Sequence, residues 1–251
     1  MATQLIVTSR MADYCCFKYR PVDKRLLELL VGSTMYFPHR AQLNDPFDCN
    51  IDIVRAIDNA LARGICNTPH LLQAFRKDEA VTRRFTKNVD AMGVGAFSLT
   101  NNETLLWSHY AADHTGVALR YDFPMAFLDD ENNILGVSAV SYAPNAISDW
   151  LGANAHLYQK DHTAFIIGLL KKFLMSKAPA WQHEQETRIV RPAAGPFELP
   201  RETLTHVLFG LQTSREDEQL VRNLVDKYYG KVRFGRAVRT NDDFGIGTVE
   251  I

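Results

Sequence analysis

The run Trp181-Gln182-His183-Glu184-Gln185-Glu186-Thr187-Arg188, leading into Ile189-Val190, constrains the fold more than any other part of the chain. Its pattern predicts a strand, and side chains on a strand alternate between faces. Gln182, Glu184, Glu186 and Arg188 therefore fall on one face. That face carries no apolar residue and so cannot pack into a hydrophobic core. It must meet water or a polar cleft. Two carboxylates at a cleft suit acid–base or oxocarbenium chemistry. On an open edge the same residues make a solvated Glu–Arg ladder.

The remaining elements are short and irregularly ordered. Tyr14 to Tyr19 is an aromatic-rich strand closed by Pro21. Lys24 to Val31 carries four leucines at helical spacing and stops at Gly32, and Thr34 to Phe37 is a second strand. Residues 52–90 read as polar helix, and Gly93 to Leu99 as an apolar strand. Asn101 or Asn102 is placed to cap a helix through Ala111. Strands are expected over Gly116 to Tyr121 and Gly136 to Tyr142, and one long helix over residues 149–176, with Leu151, Tyr158, Phe165, Leu169 and Phe173 on its apolar stripe. The tail reads strand, helix, strand, strand, with Ser214 and Asp217 resembling a capping box. This alternation predicts one α+β domain over residues 1–251, built on a mixed, partly antiparallel sheet flanked by helices.

Bulk properties narrow the partners. The 28 basic and 29 acidic residues leave a net charge of −1, so no global field draws the chain to nucleic acid. Cys15, Cys16, Cys49 and Cys66 contain no C-x-x-C pair, and no signal-peptide core precedes them, which suits a reducing, cytoplasmic setting. No apolar run approaches the roughly 20 residues needed to span a bilayer. No Walker, Rossmann, nucleophile-elbow or zincin motif occurs.

Several residues stand out as candidates for chemistry. Arg20 is held at a strand end before a proline, where a guanidinium can grip phosphate bidentately; it can equally be a surface arginine. Ser98 and Thr100 repeat the period-two relation of the glutamates, and two hydroxyls there can bond a carboxylate or a ribose, or can cap the following helix. His109 and Asp113 are four apart on the expected helix and share a face; His109 and His114 do not converge, so no metal is expected. Trp107 and Tyr110 beside them read either as packing or as substrate contacts. Asn44-Asp45-Pro46-Phe47-Asp48 forms a rigid turn that could also line a site.

Taken together, Phe17-Lys18-Tyr19-Arg20, Asn44 to Asp48, Phe97 to Thr100, Leu106 to Ala111 and Trp181-x-x-Glu184-x-Glu186-x-Arg188 resemble a widespread bacterial domain of unknown function. The resemblance runs in order over nearly the whole chain, down to a terminal strand like Val207-Leu208-Phe209-Gly210. It implies a bacterial setting, and association of related genes with phage resistance implies a defence or toxin role. The order Arg20, Ser98-Leu99-Thr100, Glu184-Gln185-Glu186 is also similar to ADP-ribosyltransferases of the arginine–serine–glutamate type. It departs from them at Leu99, where those enzymes usually carry a hydroxyl, and in lacking an obvious catalytic loop before Glu184.

Two functions follow as expectations. The first is an NAD-consuming transferase or glycohydrolase. Glu186 stabilises the oxocarbenium-like transition state, Glu184 orients or deprotonates the acceptor, Arg20 clamps the pyrophosphate and Ser98 positions Glu186 or the ribose. Thr100 and His109 complete the nucleotide site, Tyr36 or Trp107 stacks on the nicotinamide, and the acceptor is water or an unidentified macromolecule. The second is a non-catalytic nucleotide- or peptide-binding sensor of a defence system, with Glu184, Glu186 and Arg188 forming an internal ion-pair ladder.

Overall fold

The computed structural model describes residues 13–241 and 244–251. The chain opens as expected, with strand β1 (Asp13–Arg20), helix α1 (Lys24–Gly32) and strand β2 (Thr34–Phe37). Asp23 starts α1 by accepting the Leu26 amide at 2.9 Å, and the helix buries Leu26, Leu29 and Leu30. Three helices follow: α2 (Ile53–Ala62), α3 (Pro69–Lys77) and α4 (Glu79–Ala91). The middle of the chain forms β3 (Gly93–Ser98), α5 (Thr104–Tyr110), β4 (Val117–Pro124), α6 (Met125–Leu128), β5 (Gly136–Ala139) and β6 (Ser141–Tyr142).

The second half begins with α7 (Ala146–Asn154), α8 (Leu157–Lys160) and α9 (His162–Leu174). It continues through β7 (Ser176–Lys177), β8 (Glu186–Arg191), β9 (Gly195–Glu198) and β10 (Leu204–Phe209). It closes with α10 (Arg215–Tyr228), β11 (Arg233–Arg239) and β12 (Ile246–Glu250).

Eight strands form one mixed sheet in the order β12-β11-β10-β4-β1-β3-β8-β5, antiparallel except for the parallel pair β10–β11. The fold is α+β. Pairing within the sheet is uneven. β1 pairs with β4 at all eight of its residues, and β3 with β8 at all six of its own, but β1 and β3 meet only at Phe17 and Ser98. Beyond that position the strands diverge, leaving a split between two half-sheets.

Apolar residues fill both sides. One cluster packs α1 and α10 on the sheet through Leu30, Phe97, Leu119, Phe123, Val221 and Ile189. A second joins α2, α3, α4, α7 and α9 and receives Val94 and Val190 from β3 and β8. Those two strands thus contribute to both clusters, because their successive side chains point to opposite faces.

Three expectations need correction. The helix expected over residues 149–176 is broken at Ala155 to His156 and again at Asp161, whose side chain caps α9 by accepting the Ala164 amide at 2.9 Å. Its apolar stripe is nonetheless buried at Leu151, Phe165, Leu169 and Phe173, while Tyr158 is half-buried and donates its hydroxyl to Asp78. The helix through Trp107 begins at Thr104, capped by Glu103 rather than by Asn101 or Asn102.

The third correction bears on the site. Pro179–Glu184 is a 3₁₀ turn, Gln185 sits in the left-handed region at φ 43°, and the strand begins only at Glu186. Proline pre-sets φ for a turn start and supplies no ladder donor, which explains why the strand starts late.

Candidate functional site

The turn at residues 44–48 builds one wall. Asp45 accepts the Phe47 amide at 2.9 Å, an Asx turn that sends the chain back inward and leaves Phe47 exposed. Asp48 is thereby buried, and its Oδ2 lies 2.5 Å from Nη2 of Arg188. Arg188 also binds Glu186 through Nε at 2.6 Å and the Leu174 carbonyl through Nη1 at 2.6 Å. It is fully buried. The sequence pattern leaves its face open to water or a polar cleft, but the face is polar because it holds a buried ion network.

Lys177, on β7, enters the network from the opposite side. Its Nζ lies 2.5 Å from Glu184, 3.0 Å from Glu186 and 3.8 Å from Asp48, and 4.8 Å over the Trp181 ring. Glu184 also accepts the Tyr110 hydroxyl at 2.5 Å, which in turn accepts Asn44 Nδ2 at 2.7 Å. Ser98 donates to the Glu184 backbone carbonyl at 2.8 Å, and Tyr142 accepts the Glu186 amide at 2.7 Å.

The two glutamates thus meet across Lys177, not by alternation along one strand. Counted as ions, Asp48, Glu184 and Glu186 against Lys177 and Arg188 leave one net negative charge.

Burial pushes the Glu186 carboxyl up, but the charge and hydrogen bonds of Arg188, with Lys177, outweigh it and hold the group below the usual Glu value. Burial likewise opposes the charge on Lys177 and Arg188, and their carboxylate partners reverse it, raising both. Tyr110 is pushed up by burial and by its bond to Glu184, so it stays a donor. The Cys49 thiol, buried beside Arg188, rises to about 12 because burial outweighs the arginine's charge.

A pocket of about 200 Å³ opens at the split between β1 and β3. Glu184, Glu186 and Lys177 form its polar end, Ser98 and Tyr110 flank them, and Phe17, Val94, Phe97 and Leu106 are among its apolar walls. Lys18 lies at the divergence of the strands. Its Nζ donates to the Ala96 carbonyl at 2.5 Å, reaching across where a β1 partner would otherwise sit.

A second groove of about 750 Å³ shares Lys18, Pro38 and Gln42 with the pocket and adds Arg20, Arg25, Glu28 and Tyr36. Arg20 is fixed at its end, because a Cβ on Gly116 would stand 2.2 Å from the Arg20 carbonyl and only glycine allows that approach.

The candidates named from sequence fall in three places. Glu184, Glu186 and Ser98 line the pocket, and Arg20 and Tyr36 line the adjoining groove. Thr100, Trp107 and His109 line neither. Thr100 bonds Asn102 and offers its carbonyl to the Tyr19 hydroxyl at 3.0 Å. Trp107 is fully buried, edge-on to Tyr19 at 5.1 Å with Nε1 on the Asn101 carbonyl, so its faces are taken up by packing. His109 is exposed, and α5 ends at Tyr110, so Asp113 leaves the helix at φ 53° and bonds Ser108 in place of His109.

Sequence reasoning missed Lys18 and Lys177 as site groups, and offered Asp48 only as part of a turn that could line a site. The usable signal was position: Lys18 two residues before Arg20 on a strand, and Lys177 alone among Met175, Ser176 and Ala178.

A family model described as a protein of unknown function (DUF2971) matches residues 106–189. That span carries Tyr110, Lys177, Glu184, Glu186 and Arg188, and lies outside Arg20, Asp48 and Ser98. No curated protein and no solved structure matches the chain. Among the described residues no helix is long and apolar enough to cross a membrane.

Proposed function

We propose that this chain binds an NAD-type nucleotide across the pocket and groove and breaks its N-glycosidic bond, as a transferase or glycohydrolase. The observation that carries the reading is the adjacency of β1, β3 and β8, which bear Arg20, Ser98 and Glu186 around a split sheet. Their order is the one seen in the arginine–serine–glutamate resemblance.

A volume of about 200 Å³ suits a single ring with part of a sugar, and is below the roughly 300–1,000 Å³ of a whole-ligand site. The nicotinamide ring of NAD is cationic and would sit against Phe17, Phe97 and Leu106, with the net negative charge of the ion network nearby. As the bond from the anomeric carbon to nitrogen breaks, the electron pair moves onto the ring nitrogen and positive charge passes to the sugar. Glu186, held ionised by Arg188 and Lys177, is placed to stabilise that charge. The oxygen of water, or a target side chain, then bonds the anomeric carbon and gives up its proton to solvent water. Glu184, hydrogen-bonded to Tyr110, is the group to orient that acceptor. Arg20 in the groove meets the pyrophosphate.

The test is nicotinamide release from NAD by the purified chain, followed chromatographically beside Glu186→Gln and Ser98→Ala. Thermal melts accompany it, because Glu186 also holds the fold together. Release by the wild type and its loss in a folded Glu186→Gln protein support the reading. Release unchanged in that variant overturns it.

A second reading is favoured by one observation: both pocket glutamates already have a cation within 3.0 Å. In that reading the network is scaffolding, and the pocket recognises a nucleotide or peptide without turnover, as a sensor of a phage-defence system would. Saturable ADP-ribose binding with no nicotinamide release would select it.

A further inference from the structure

The ion network borders two cavities. Besides the pocket, one of about 360 Å³ is lined by Asp48 and Lys177, the two residues that the cavities share. Asp45 lines this second cavity at 6 % exposure, and its Oδ1 accepts the Phe47 amide that closes the Asx turn. Among the described residues no cation pairs with Asp45. Lys177 forms its ion pairs with Asp48, Glu184 and Glu186, and Arg55, also on the cavity wall, is exposed and lies 3.8 Å from Asp52. A buried carboxylate without a counter-charge is costly unless a ligand brings one.

Other polar groups on these walls can accept hydrogen bonds and receive none. Ser176 is 8 % exposed, and its buried Oγ has no hydrogen-bond partner. Asn59 spends its Nδ2 on Asn145 Oδ1 and Ser148 Oγ, both at 3.2 Å, which leaves its own Oδ1 to accept. Ile51, Ala56, Pro144 and Ile147 supply apolar wall. Phe47 lines the cavity while 78 % exposed, so its ring is open to a cation.

We propose that this second cavity binds a primary alkylammonium group, with Asp45 as its counter-charge and Ser176 and Asn59 as further acceptors. An ammonium carries three donors and no acceptor, which suits walls of acceptors that lack donors. Its alkyl stem is covered by the apolar wall. The net negative charge of the ion network favours a cation here over a neutral ligand or an anion. The volume falls within the roughly 300–1,000 Å³ of small-ligand sites. The group has two sources, the lysine side chain of a polypeptide and a free aliphatic amine. The site stands whether or not the pocket breaks a glycosidic bond, because Asp45, Asn59 and Ser176 lie outside the pocket.

NMR titration with n-butylamine at neutral pH reads the affinity, beside n-butanol, which has nearly the same shape without the charge. Butylamine should bind saturably and butanol roughly tenfold more weakly, as the loss of a charged hydrogen bond implies. Asp45→Asn keeps an oxygen to accept the Phe47 amide, so the melting temperature should hold while butylamine binding falls roughly tenfold. Ser176→Ala removes a hydroxyl that has no partner, so it should melt no lower than the wild type yet bind butylamine several-fold more weakly. Ser176→Ala decides the matter should Asp45→Asn fail to fold. No saturable butylamine binding, butanol binding as tightly, or wild-type affinity in either folded variant overturns the site. Nα-acetyl-lysinamide and diaminopentane then separate the sources. Tighter binding of the first supports the site with a polypeptide lysine as its ligand, and tighter binding of the second supports it with a free amine.

Discussion

Phe17 on β1 stands opposite Ser98 on β3, and among the described residues theirs is the one register position at which the two half-sheets pair. Across the next ladder Ser98 stands opposite Glu186. Paired residues in a sheet project to the same side, so these three side chains fall in one row. The row ends where the strands part, and the pocket opens there.

Arg188 is the group on which the ion network most depends. Replacing it by methionine leaves Asp48 and Glu186 buried with Lys177 as their remaining cation. Loss of one partner from a buried pair costs about 3–5 kcal/mol. Urea denaturation of Arg188→Met should show a loss of that size. The double variant Arg188→Met with Glu186→Gln should recover part of it, a coupling that a double-mutant cycle measures.

Acid should unfold the chain partly through Glu186. Its carboxyl lies below the ordinary Glu value in the folded state, so the folded chain binds fewer protons than the unfolded one as pH falls. The associated stability is fully present above the ordinary value of 4.5 and is lost as pH drops through the lower folded value. Denaturation midpoints measured from pH 6 to pH 3 should fall steeply below about pH 4.5 in the wild type and less steeply in Glu186→Gln. Parallel curves would exclude Glu186 as a source of the acid limb.

Tyr110→Phe removes the hydroxyl that joins Asn44 to Glu184. A hydrogen bond to a charged group contributes about 1.5–3 kcal/mol, so the variant should lose stability in that range. Asn44→Ala breaks only the outer, exposed bond and should lose less. Equal losses in the two variants would mean that the Tyr110–Glu184 bond contributes little.

Thiol labelling should divide the four cysteines. Cys16 and Cys49 are buried, and burial holds both thiols well above their ordinary value, Cys49 at about 12. Cys15 and Cys66 are half-exposed. A maleimide at pH 7.5 followed by peptide mapping should modify Cys66 and Cys15 first, and Cys49 only after denaturation. Early labelling of Cys49 in the native protein would show that the turn at residues 44–48 opens readily.

The sequence determined the local pieces, because local rules suffice for them. Leucine spacing set α1, although its left-handed cap is Ser33 and not Gly32, the aromatic run set β1, and the Asx turn at Asn44 to Asp48 followed from side chains bonding their own backbone. The α+β class followed from the order of those pieces. The polar stretch of the face of Glu186 and Arg188 was legible, though its meaning was not, and the next residue on that face, Val190, is apolar and packs into the second cluster. A polar face on a strand reads as wet unless its partners are known, and the partners Asp48 and Lys177 come from positions far along the chain or across a turn. The same holds for Trp107, whose spacing allowed both packing and stacking until Tyr19 and Asn101 were seen to occupy it. Only the tertiary structure decided that β1 and β3 diverge after Phe17 and Ser98, because strand pairing is a long-range choice made by the packing of whole half-sheets. That divergence, which no local pattern encodes, creates the pocket and sets Lys18 between its carboxylates and the arginine groove.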